Sequence, residues 1–197
     1  MMQSAHKEKD FKEVPLDSRN VFRGCLLDVY EDQVRLPKNG TAVREYIKHP
    51  GAAVVIPYLG DHQILLIRQY RYPVQRVVIE IPAGKIDPGE NPEETIRREL
   101  EEETGYISGN IAALGSLYPT VGYSDEIIHL YWADHLKPGA THPDEDEVIE
   151  LFTRDIDEAM EMVYAGQITD AKSIIGLFWA EKIIRNRDFA GRFGVEL

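Results

Sequence analysis

Two runs of mixed apolar and polar residues, 21–36 and 42–48, predict strands. Between them Pro37-Lys38-Asn39-Gly40 supplies a turn in which Asn-Gly is a strong hairpin signal. Residues 15–49 therefore read as a small antiparallel unit, and the polar residues ahead of it as a loose leader. His49-Pro50-Gly51 breaks the pattern and marks a boundary, which divides the chain into an N-terminal β unit, 1–49, and a larger domain, 50–197. Beyond the break the strand-like runs become more apolar, at 52–59, 63–70 and 77–81, separated by Gly60-Asp61-His62 and Arg71-Tyr72-Pro73. A glycine-bearing loop, 82–89, then leads into a helix with Asn91 placed to cap it, Pro92 at its first position and Gly105 at its end. Further strands are predicted at 111–117, 127–133 and 148–152, and helices at 155–165 and 170–185. The second of these helices carries Ile174, Leu177, Phe178 and Ile184 on one face. Strands and helices mix without strict β-α-β alternation, so the prediction is an α+β fold with a mixed sheet flanked by helices, not a doubly wound parallel sheet.

Composition narrows the class. Hydrophobic residues make up 43% of the 197 and charged residues 28%, enough apolar material for a packed core and too much for extended disorder. No apolar run approaches the roughly 18–20 residues of a membrane span. The first ten residues are polar, with no apolar core of a secretory leader. The net charge of -12 excludes a general affinity for nucleic-acid backbones, which takes basic patches. A single cysteine, Cys25, forms no internal disulfide and reads as a small buried apolar residue rather than a nucleophile; a cytoplasmic protein is the expectation.

The chemistry concentrates in residues 84–106. At about 100° per residue, Ile96 and Leu100 mark the buried stripe of the helix, and Glu99, Glu102 and Glu103 fall on its edge. Like charges three and four residues apart repel, and partial burial worsens the repulsion. Arg98, four before Glu102, can neutralise one carboxylate. The others suit a hard cation with oxygen ligands; a solvated acidic helix face with ordinary ion pairs is the competing reading.

The same stretch resembles the signature of Nudix hydrolases: Gly84, Glu90, Arg98, Glu99, Leu100, Glu102, Glu103 and Gly105 fall in register, and Tyr106 stands where the pattern has an aliphatic residue. The likeness runs from about residue 20 to 185. Leu36-Pro37, Asn39-Gly40, Arg44-Glu45, His49-Pro50-Gly51, Arg68-Gln69-Tyr70-Arg71, Glu80-Ile81-Pro82-Ala83-Gly84 and Ser124-Asp125-Glu126 look like the ADP-ribose pyrophosphatase branch. The resemblance implies an α/β/α sandwich preceded by an N-terminal β unit that joins a homodimer. It implies hydrolysis of the pyrophosphate bond of ADP-ribose or a related nucleoside diphosphate sugar, giving a nucleoside monophosphate and a sugar phosphate. The implied cofactor is Mg²⁺, with Mn²⁺ as an alternative, held by Glu99, Glu102, Glu103 and the carbonyl of Ala83.

By the same resemblance the acidic loop His142-Pro143-Asp144-Glu145-Asp146-Glu147 supplies Glu145 as general base and Glu147 as a further ligand, with Glu126 a second candidate base. Glu90 and Arg98 are expected to orient helix and loop. Arg71 and Arg68 are candidate phosphate ligands, since guanidinium binds phosphate two-pronged, and Arg44 could reach substrate from a partner subunit. Two departures bear on the substrate. Val121 stands where many ADP-ribose hydrolases have proline, and Cys25 where some relatives have a base-stacking aromatic. They open the alternative of a broad or GDP-mannose-type hydrolase. A non-catalytic sensor would be expected to lose Arg98, Glu99, Glu102 or Glu103, and all of these are present.

Overall fold

Strand β4 (Ala52–Gly60) shows how the larger part is built. Its side chains alternate between two faces. Ala53 and Val55 join Ile96, Leu100, Tyr131 and Ala133 on one side. Val54 and Ile56 join Leu130, Trp132, Leu177, Ala180 and Ile183 on the other. Both faces are covered, which is why the strand reads as a continuous apolar run. The computed structural model describes residues 11–139 and 148–197. These divide into two units: 11–49 with 120–126, and 50–119 with 127–139 and 148–197.

In the larger unit, β4 lies in a seven-stranded sheet with β5 (Gln63–Arg71), β6 (Arg76–Glu80), β7 (Ala83–Lys85), β8 (Tyr106–Leu117), β9 (Ile128–Pro138) and β10 (Ile149–Asp155). The order is β10-β5-β4-β9-β8, with β6 added to β5 and β7 to β4. β4 and β9 run parallel and the other ladders antiparallel, so the sheet is mixed as expected. Helix α1 (Pro92–Thr104) covers one face. On the other lie α2 (Ile156–Tyr164), α3 (Ala171–Arg185) and the short α4 (Arg187–Gly191). Among the described residues, no helix is long and apolar enough to cross a membrane.

The face of α3 differs from the expectation. Leu177 is buried, but Phe178 is 45% exposed, and the inward positions are Ser173, Gly176, Leu177, Ala180 and Ile183. The reason is a close approach: a Cβ on Gly176 would run into Ile81, so the helix docks through its small residues, while Ile174 and Ile184 pack partly buried against the same core. Ile96 and Leu100 of α1 are fully buried. Leu100→Ala removes such a side chain from a closed cluster and should cost about 2–5 kcal/mol, read as a lowered denaturant midpoint.

The smaller unit is an antiparallel sheet of β1 (Val14–Arg23), β2 (Asp28–Arg35) and β3 (Thr41–Lys48), in that order. The predicted run 21–36 is in fact two strands, split at Gly24, whose N–H bonds the carbonyl of Leu27 at 2.8 Å. Strand structure also begins at Val14, earlier than the polar pattern suggested, because pairing with β2 reaches Val14↔Arg35. Segment 120–126 joins this unit through Ile47 N–H to the Tyr123 carbonyl at 2.9 Å and His49 N–H to Asp125 Oδ1 at 2.8 Å. Of its large apolar side chains Val34 is buried, while Leu16, Val21, Phe22, Leu26 and Val43 are exposed.

Candidate active site

Helix α1 is fixed at both ends by its own sequence. Asn91 Oδ1 accepts from the Glu93 and Glu94 amides, each at 3.0 Å, and Glu94 Oε2 accepts from the Asn91 amide at 3.0 Å, a reciprocal capping box. At the other end Gly105 takes the left-handed conformation, with φ of 69°, and bonds the Glu101 carbonyl at 2.7 Å. With the stripe of Ile96 and Leu100 inward, the acidic edge faces the short strand β7. That strand is anchored independently: Ala83 pairs with Val54, the Val55 amide bonds Pro82 O at 3.0 Å, and the Ile81 amide bonds Ser173 Oγ at 2.9 Å.

Between helix and strand the spacing of the sequence becomes a site. Glu103, 6% exposed, accepts the Ala83 amide on Oε2 at 3.1 Å. Glu99 lies so close over Gly84 that any side chain there would overlap its carboxyl group; only glycine leaves that space. Arg98 was expected to neutralise one carboxylate and serves three. Its Nε and Nη2 grip Glu90 at 3.0 and 3.1 Å, and its Nη1 reaches Glu99 and Glu102, both at 2.8 Å. Asp87 stands 3.6 Å away. The clustered acids raise the Arg98 pKa, the Glu90 hydrogen bonds first among the causes. Among the described residues, no three His, Cys, Asp or Glu side chains gather around one point as a metal cluster; Arg98 and the Ala83 amide engage these acids.

Arg98 and then Thr95, through its hydroxyl at 2.8 Å, hold the Glu90 carboxyl down at about 2. Because its folded pKa lies below the ordinary value of 4.5, the stabilisation from Glu90 is fully present above that value. It is lost as pH falls toward about 2. Denaturant midpoints should therefore separate wild type from Glu90→Gln at pH 5 and converge as the pH approaches about 2.

Elsewhere on the larger unit, Arg71 Nε and Nη2 meet Glu80 Oε1 and Oε2 at 2.7 and 2.9 Å, and Lys172 Nζ also bonds Glu80 Oε2. Burial pushes the Glu80 carboxyl up, but the hydrogen bonds and charges of Arg71 and Lys172 prevail and leave it below the usual range. These groups line a cavity of about 350 Å³ together with Arg76 and Asp170. Arg68 pairs with Glu150 at 2.5 Å and lies over the Phe152 ring, bracing β5 against β10.

In the smaller unit Arg44 pairs with Glu13 at 2.5 Å, and Glu126 lies 3.8 Å from His49 Nδ1. Val121 is exposed, and so is Cys25, contrary to the buried position expected of it, because it sits in the turn between β1 and β2 that the Gly24–Leu27 hydrogen bond closes. Glu145 and Glu147 lie outside the described residues. Sequence reasoning missed Glu80 and Lys172 as members of a shared cluster. The available signal was a carboxylate within the apolar run 77–81, where an unpaired acid is costly.

Known proteins resemble this chain in sequence and in fold. The NUDIX domain matches residues 48–174. The chain is 36% identical to an ADP-ribose pyrophosphatase of Bacillus subtilis strain 168 over 167 residues, 84% of this chain and 90% of that protein. It is 40% identical to a methanol dehydrogenase activator of Bacillus methanolicus over 86% of this chain and 92% of the relative. A GDP-mannose pyrophosphatase of Yersinia enterocolitica is 35% identical over 73% of this chain and 81% of its own length. The solved structure of an ADP compounds hydrolase superposes with a TM-score of 0.80, at 23% identity, over 89% of this chain and 96% of that one, and so shares the fold. The signature residues gathered between α1 and β7 thus fall inside a domain match that spans more than half of the sequence, and the chain belongs to the Nudix family.

Proposed function

We propose that this Nudix enzyme uses a divalent cation to hydrolyse the pyrophosphate bond of ADP-ribose or a related nucleoside diphosphate sugar, releasing a nucleoside monophosphate and a sugar phosphate. The observation that carries the reading is that Glu103 meets the backbone at Ala83 and Glu99 lies over Gly84, with Arg98 tying Glu99 and Glu102 to Glu90. The names of the Bacillus subtilis and Yersinia relatives supply the substrate class.

The donor set is carboxylate and carbonyl oxygen, the chemistry that suits Mg²⁺, with Mn²⁺ as the alternative. The glycine that lets the Glu99 carboxylate lie against β7 fits a site for such an ion. Glu99, Glu102, Glu103 and the Ala83 carbonyl would hold it, and Glu147 is proposed as a further ligand. When bound, the cation offsets the charge of the two phosphates and acidifies a water. Arg98 keeps Glu99 and Glu102 oriented and joins the helix to the loop through Glu90. Arg71, whose Nε and Nη2 meet Glu80, is the proposed phosphate ligand on β5 because it lines the cavity, with Arg68, paired with Glu150, the lesser candidate. Glu145 is proposed to take the proton of the attacking water, with Glu126 as the second candidate; rates of Glu145→Gln and Glu126→Gln decide between them.

A broad or GDP-mannose-type specificity is the second reading, favoured by Val121 and Cys25 and by the Yersinia relative. ADP-ribose, GDP-mannose, ADP-glucose, UDP-glucose and NADH, each incubated with Mg²⁺ and assayed for nucleoside monophosphate, separate the two. Release from none of them would overturn the proposal. The exposed apolar side chains of the three-stranded unit support a homodimer in which Arg44 serves the partner's site. Light scattering should give twice the chain mass; an active monomer would contradict this. A cytoplasmic location is proposed as well, and fractionation of cells would test it.

A further inference from the structure

Arg71 does not stand alone in its cavity. Glu80, only 2% exposed, receives two guanidinium nitrogens of Arg71 on one side and the Lys172 ammonium on the other, although Lys172 comes 92 residues later in the chain. Lys172 also lies 2.9 Å from Asp170, whose same carboxylate caps α3 through the Ser173 amide at 2.9 Å and accepts the Ser173 hydroxyl at 2.6 Å. Ser173 Oγ in turn accepts the Ile81 amide. The first turn of α3 is therefore fastened twice to the end of β6, immediately before the strand that meets the α1 acids. Arg71 directs Nε and Nη2 into this cluster and also feels the charge of Glu103.

The charges decide what the lysine does. Within the ion-paired cluster, Arg71 and Lys172 against Glu80 and Asp170 sum to zero; Arg76, also in the cavity lining, bonds Thr169 instead. Without Lys172 the same cluster carries one net negative charge beside the arginine that would meet a diphosphate. The buried carboxylate would then draw on Arg71 alone. Two oxygens on Glu80 also set the plane of the guanidinium, as two-pronged pairing does.

We infer that Lys172 and Glu80 are positioning residues for Arg71: Glu80 orients the guanidinium, and Lys172 offsets the carboxylate so that Arg71 stays available to the substrate's phosphates. This inference rests on the proposed nucleotide-sugar hydrolysis, and the test separates the two. Lys172→Met should raise the KM for ADP-ribose on the order of 10-fold and weaken calorimetric binding of ADP by a similar factor, and Lys172→Arg should recover most of both. In an Arg71→Met background the same Lys172→Met change should add less than about 2-fold, since no guanidinium remains to be set.

Glu80→Gln gives a second cycle, because its amide oxygen still accepts from Arg71 while the charge is gone. Thermal midpoints of every variant separate unfolding from lost binding. An equal factor in both backgrounds would mean that Lys172 only braces α3, and the inference would be overturned, as it would by wild-type KM and ADP affinity in Lys172→Met. A wild-type protein that releases no monophosphate from any nucleotide sugar sinks the proposed function instead, and the ADP-binding cycle then judges the inference alone.

Discussion

Glu103→Gln is expected to lower the rate of nucleotide-sugar hydrolysis on the order of 10²-fold or more while leaving a folded protein. The side chain is nearly buried and accepts the Ala83 amide, and the amide oxygen of glutamine can keep that bond. What is lost is the negative charge. A cation held by the α1 acids would bind more weakly, and the charge that develops on the phosphates would be less well offset. Cation titrations of the rate, run beside unfolding curves, should show a higher half-saturating concentration with little change in midpoint. Chelator in excess should abolish the wild-type rate. Full activity in chelator, or a Glu103→Gln enzyme at the wild-type rate, would refute the cation reading.

Gly84→Ala should produce the second large effect, by a route that leaves every acid in place. A methyl group at this position would overlap the Glu99 carboxyl. The atoms it meets are the end of a flexible side chain, so the fold can yield by swinging Glu99 away. Stability should fall by about 1 kcal/mol or less, within the range of a tolerated substitution. The rate should fall at least on the order of 10-fold, since small misplacements of reacting groups are costly. Steady-state rates and denaturant midpoints on one preparation test both halves; an unchanged rate would show that Glu99 need not lie against β7.

Local signals explain what could be foreseen. Asn91, Pro92 and Gly105 announce the ends of α1 within a few residues of the bonds they make, and Ile96 and Leu100 fix its rotation, so the edge position of Glu103 follows from spacing. The grip of Arg98 on Glu90 is different. The two are eight residues apart with a helix start between them, and their contact depends on how the loop folds back. The Glu80 cluster is farther still from local rules, because its partners come from β5 and α3. Gly176 likewise carries no periodic signal that it will admit Ile81, and with that approach Ile183 is fully buried while Phe178 is left half-exposed. The same limit hid the attachment of 120–126 to β3, where Ile47 makes backbone hydrogen bonds that any sequence can form and the Asp125 side chain adds one to the His49 amide just beyond the strand.

The direction of α1 has its own consequence. Peptide dipoles add along a helix, leaving its C-terminal end partly negative, and basic side chains there normally relieve it. In α1 the last turn has no basic residue and carries Glu101, Glu102 and Glu103 instead. The macrodipole and the side chains thus reinforce one another where the helix meets β7, against the helix's own stability. The first turn, with Glu93 and Glu94 on the positive end, is arranged in the favourable sense. One thirteen-residue element is therefore anchored electrostatically at its start and strained electrostatically at its finish. A cation arriving at the C-terminal end would relax that strain and stabilise the helix as it binds.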